Sequence, residues 1–149
     1  MRSLTAFSVI CCLIFALSCT GTKEPQPTYT ISEAPVNPNG DSELALLMRE
    51  MFEDAERMKE EIKAGKTPKV LKTFEEIYSA KATEAEKAES PIYHSYAQTY
   101  LASLNALKNT DSAQAAALFH DMVNNCMSCH KAMCPGPTVR IQKLYLTQN

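Results

Sequence analysis

The chain has no tryptophan and only four glycines in 149 residues. With alanine, leucine, glutamate and lysine frequent instead, this is the composition of a helical protein, and no alternating strand pattern competes with it. There is no internal repeat. There is no basic patch, and the formal net charge is -2, so nucleic acid is not an expected partner. The one marked apolar run, Ala6 to Leu17, is too short to cross a bilayer comfortably. No acid–base constellation suggests substrate turnover, so an enzyme is not expected. Six cysteines do not amount to a disulfide framework. Cys11, Cys12 and Cys19 stand in or at the end of the N-terminal apolar segment, Cys126 and Cys129 share one short motif, and only Cys134 is left over.

What is present begins with an export signal. Arg2, the short apolar run and the small residues before Cys19 fit a secretory leader. The ending Ala16-Leu17-Ser18-Cys19 resembles a bacterial lipoprotein signal over residues 1–18, with Cys19 as the lipidated first residue of the mature chain. Ordinary cleavage without a lipid is the plainer alternative. Residues 19–40 carry Pro25, Pro27, Pro35 and Pro38 and no helical or strand period. They are expected to form a disordered tether, which would hold a domain away from a membrane on the exported, periplasmic side.

The domain, residues 41–149, shows amphipathic helical patterns. The first helix is expected from a cap at Asp41 or Ser42 to about Ala64, stopped by Gly65 and Pro68. Leu44, Met48, Met51, Ala55, Met58 and Ile62 form its seam, in steps of 4, 3, 4, 3 and 4, widened by Leu47. A second helix is expected from Thr67-Pro68 through Val70, Phe74 and Ile77. The polar stretch Ala82 to Glu89 either extends it or forms a separate turn from Thr83. A third helix starts at Ser90-Pro91 and carries Tyr93, Tyr96, Tyr100, Leu104 and Leu107 on one side. A fourth, capped by Asp111, has the seam Ala115, Phe119, Met122, Cys126, Cys129 and Met133 and ends at Pro135-Gly136-Pro137. A short tail through Ile141 and Leu144 is expected to fold back. The expected architecture is all-α, an antiparallel four-helix bundle.

In that fourth helix stands Cys126-Met127-Ser128-Cys129-His130, the C-x-x-C-H spacing of c-type haem attachment. Two thiols add to the two vinyl groups of haem and become thioethers, and the adjoining imidazole binds iron. On a helix, positions 126, 129 and 130 share a face, so one stretch of backbone can present all three groups to one flat macrocycle. Both cysteines occupy seam positions, so the haem would hang inward. A zinc site would require a second ligand pair, and a thioredoxin-like pair would sit near a βαβ pattern; neither is visible.

A single C-x-x-C-H near the end of the last of four helices resembles the cytochrome c-prime family, the four-helix class II c-type cytochromes. The resemblance covers roughly residues 41–134, and it is specific at the motif and architectural elsewhere. It implies one covalent haem c on Cys126 and Cys129, with His130 as the proximal iron ligand and a sixth ligand, if any, from the first helix. The family often has an aromatic residue three places after the motif histidine and a basic residue after that. Here Met133 and Cys134 stand there, so that basic group is missing.

In an antiparallel bundle the end of helix four lies beside the starts of helices one and three. Met48 is therefore the first candidate for the sixth ligand and Met51 the second. Met58, 10 residues after Met48, lies about 15 Å further along. All three methionines could instead fill the core. His94, in the first turn of helix three, is the alternative that would give bis-histidine ligation. His120 lies about 15 Å from His130 along one helix and is not expected to bind. The tyrosines are expected in the core or at the haem edge. Cys134 is expected to be buried under the tail, with a link between two chains as the alternative.

The leading expectation is an exported, membrane-tethered monohaem cytochrome that carries single electrons between redox partner proteins. A five-coordinate protein that binds a diatomic gas is the first alternative, and a haem-free lipoprotein bundle with a redox dithiol is the second. The family often dimerises through its first two helices, and nothing in this sequence decides whether a homodimer forms.

Overall fold

A computed structural model describes residues 40–146. The expected leader, Cys19 and nearly all of the tether lie outside the described residues. The first long helix, α1 (Glu43–Lys63), is capped by Ser42, whose Oγ accepts a hydrogen bond from the Ala45 amide at 3.2 Å. Glu43 in its first turn and Lys63 in its last complement the helix dipole. Gly65 follows with φ +71°, a left-handed conformation that glycine adopts without penalty. Leu47, Met51, Phe52, Ala55 and Met58 make the buried face.

The expected second helix does not form. Residues 66–74 run without helical structure, and only one 3-10 turn, Glu75–Tyr78, follows. Side chains of α1 take over the backbone groups that a helix would have paired internally. Glu61 accepts from the Lys69 amide at 2.7 Å, and the Arg57 guanidinium donates to the Lys69 carbonyl. Further along, Lys72 pairs with Glu50 at 2.8 Å. The Lys81 amide donates to Glu43 at 3.1 Å, and the Leu44 amide donates to the Lys81 carbonyl at 3.0 Å. The segment is therefore a strap laid back along α1.

Length explains the choice. From Glu61 back to Glu43, α1 covers about 27 Å. The segment from Lys69 to Lys81 would reach only about 18 Å as a helix, but up to about 40 Å extended. Phe74 has φ +57°, which interrupts any helix there, and its ring is only 1% exposed. Burial of that ring offsets the unfavourable backbone.

The polar stretch forms a separate short helix, α2 (Ala85–Ala88), which follows Glu84 rather than Thr83. Next comes α3 (Pro91–Lys108), capped by Ser90 with Pro91 in the first turn. A short turn leads to α4 (Ser112–Met133), whose cap Asp111 accepts from the Ala113 and Gln114 amides at 3.0 and 3.1 Å. The pair α3 and α4 packs extensively, with Ala97, Tyr100, Leu104 and Leu107 on one side and Phe119, Met122, Val123 and Met127 on the other. Beyond Pro135-Gly136-Pro137 lie α5 (Thr138–Ile141) and a 3-10 turn, Gln142–Leu144. Ile141 and Leu144 are buried, so the tail does fold back, and Lys59 donates to the Lys143 carbonyl at 2.6 Å. Among the described residues there is no strand. The fold is all-α, with three long helices and a strap.

Candidate functional site

The last two turns of α4 carry the motif, and its spacing sets how deeply each group sits. Cys126 packs against the core. Burial pushes its thiol up to about 12, with the neighbouring Cys129 adding to the effect. Cys129, one turn later, is half-buried, and burial pushes its thiol up to about 11.

Cys129 and His130 face a cavity of about 610 Å³. Its other walls come from distant parts of the chain. The first turns of α1 supply Leu44, Met48 and Phe52, the segment around α2 supplies Ala82 and Ala88, α3 supplies Tyr93, and the tail supplies Ile141. The volume is within the usual range of small-molecule and cofactor sites, about 300–1,000 Å³.

The geometry at His130 determines which ring nitrogen is available. Its Nδ1 lies 3.3 Å from the Cys134 carbonyl oxygen and 3.3 Å from the Cys134 Sγ. A carbonyl can only accept, so Nδ1–H donates, and Nε2 is left as the free lone pair. Burial holds the imidazole below its ordinary pKa, against the opposing pull of the Cys134 carbonyl. The neutral ring is the form that binds a metal, and a carbonyl on its second nitrogen is the usual way to orient such a ligand.

No known family, curated protein or solved structure matches this chain. The functional reading rests on the motif and on this geometry.

The candidate ligands separate clearly. Met48 lines the cavity together with Cys129 and His130. Met51 is turned into the core at 7% exposure and is not part of the cavity wall. Met58 is wholly buried. His94 is exposed on the outer side of α3, where its ring stacks on Tyr78 with centroids 5.6 Å apart, and it does not border the cavity. His120 is exposed and pairs with Asn124 at 3.0 Å. Cys134 corrects the expectation of burial. It is exposed at the end of α4 and borders the cavity beside His130, because the tail buries Ile141 and Leu144 instead.

Two buried polar atoms have no hydrogen-bond partner among the described residues: the Tyr100 hydroxyl and Asp54 Oδ2. Tyr93, by contrast, donates its hydroxyl to the Ile77 carbonyl at 2.8 Å and so ties α3 to the strap. Sequence reasoning missed Phe52, Lys87 and Arg140 as cavity residues. Phe52 stands one place off the α1 seam, and the other two lie outside the long helices, so no periodicity pointed to them. Cys126 packs against the core and is not part of the cavity wall, and the donor atoms around the cavity are the thiols of Cys129 and Cys134, the His130 imidazole and the thioethers of Met48 and Met133.

Proposed function

We propose that this chain is an exported, lipid-tethered, monohaem c-type cytochrome that passes single electrons between redox partner proteins. Cys126 and Cys129 would hold the haem through thioethers, His130 would bind its iron through Nε2, and Met48 would offer a second protein ligand to the iron. The strap takes the place of the second helix of the class II cytochromes c. The observation that carries this reading is that Met48 from α1 and Cys129 and His130 from α4 line one cavity.

When bound, the haem supplies a one-electron ferric–ferrous couple. The chain does the rest. The two thiols would fix the macrocycle to α4 so that it is not lost on oxidation or reduction. The Cys134 carbonyl holds the His130 ring in one orientation and one tautomer. Leu44, Phe52 and Ile141 exclude water from the apolar walls. Met48 offers a thioether, a ligand that raises the potential relative to a second histidine. With Met51 in the core and His94 on the surface, Met48 is the candidate ligand from the first helix that borders the cavity.

The test is to produce the protein alongside a c-type cytochrome maturation system and measure its intact mass and optical spectra. One haem added covalently, with a low-spin reduced spectrum indifferent to carbon monoxide, is the expected result. A high-spin spectrum that shifts with the gas would replace the carrier by a gas-binding protein. Folded protein without covalent haem would refute both and leave the dithiol.

A further inference from the structure

Three cationic side chains border the cavity: Arg49, Lys87 and Arg140. Two of them are already neutralised. Arg49 reaches both carboxylate oxygens of Asp41, at 2.5 and 2.6 Å. Lys87 Nζ lies 2.8 Å from Glu84. Arg140 makes no ion pair among the described residues. Its guanidinium carbon sits 4.2 Å from the centroid of the Phe52 ring, and Phe52 is itself a cavity wall. Stacking on an aromatic face leaves the in-plane N–H donors of an arginine unused. An apolar cavity is thus bordered by one uncompensated, oriented cation.

The tail places that cation. Pro135-Gly136-Pro137 turns the chain at the end of α4, and burial of Ile141 and Leu144 anchors the segment that carries Arg140.

We infer that Arg140 is the anion-binding residue of this site and pairs with a carboxylate of the bound tetrapyrrole. The inference rests on the haem reading above. A guanidinium presents two parallel N–H donors that match a carboxylate. Phe52 holds its plane in place, so little side-chain freedom is lost on binding. The pair also acts on the iron. Reduction removes one positive charge from the iron, so a fixed cation nearby favours the reduced state and raises the midpoint potential.

The test uses the haem-loaded protein and two variants. Arg140→Met keeps an apolar stem over Phe52 and removes the charge, whereas Arg140→Lys keeps the charge. The expected result is a lower midpoint potential for Arg140→Met at unchanged covalent haem content, with most of the wild-type value retained in Arg140→Lys. Replacing the whole pair, Lys87→Gln together with Glu84→Gln, leaves the net charge at the cavity unchanged and should shift the potential less. A wild-type potential in Arg140→Met, or an equal shift in the Lys87→Gln/Glu84→Gln double variant, overturns the inference and leaves the haem reading intact. Wild-type protein that carries no covalent haem overturns both.

Discussion

Replacing Met48 by alanine, with Met51→Ala as its control, separates a ligand from a core residue, because the two side chains stand one turn apart in different surroundings. Met51 is 7% exposed and lies in the shared core. Truncating a buried methionine leaves a cavity and costs about 2–5 kcal/mol. Met48 is only partly buried and already faces open volume. Little new cavity is created there, and the lost contact area amounts to about 1 kcal/mol. At about 4–8 °C for each kcal/mol in a domain of this size, Met51→Ala should melt about 8–40 °C lower, and Met48→Ala about 4–8 °C lower. The spectra should rank them the other way. Met48→Ala should convert the iron to a high-spin form that binds carbon monoxide, while Met51→Ala keeps the low-spin spectrum at temperatures where it is folded. The assays are thermal melts by circular dichroism and optical spectra of the loaded proteins. A spectral change in Met51→Ala alone would mean that α1 is rotated relative to the arrangement described. Unchanged spectra in both would reduce the methionines to packing.

Other consequences concern the rest of the domain. In haem-free protein the raised thiols stay protonated when folded, whereas unfolded thiols ionise near pH 9; stability should therefore be fully present below about pH 9 and fall as pH rises towards 12. Urea unfolding at pH 8 and pH 10 should show this loss; Cys126→Ala should remove about half of it and conversion of both thiols to thioethers most of it, and an unchanged loss in Cys126→Ala would contradict the burial of Cys126. Tyr100→Phe removes a buried hydroxyl that has no partner among the described residues, so the urea midpoint should stay or correspond to about 1 kcal/mol more stability. A clear loss would show that a bound water satisfies the hydroxyl. Phe74→Ala should cost about 3–5 kcal/mol, since the ring anchors the strap at 1% exposure, and a loss below about 1 kcal/mol would contradict the strap's role in the core.

The sequence by itself determined the helical class, the motif and the ends of three long helices. Those features are local. Ser42, Ser90 and Asp111 cap the backbone within three residues, and the period of α1 and α4 is carried by neighbours one turn apart. The placement of Met48 at the same cavity as His130 was also legible, because the position of His130 in its helix and the rise per residue restrict which turn of the first helix can face it. The tertiary structure alone decided the strap. Val70, Phe74 and Ile77 have helical spacing, but returning along α1 requires more length than a helix of those residues supplies, and Arg57 and Glu61 offer the backbone other partners. It alone decided the exposure of Cys134 and the meeting of Arg140 with Phe52. Both depend on where a tail without periodicity docks, and burial of Ile141 and Leu144 against distant helices sets that, not any pattern within the tail itself.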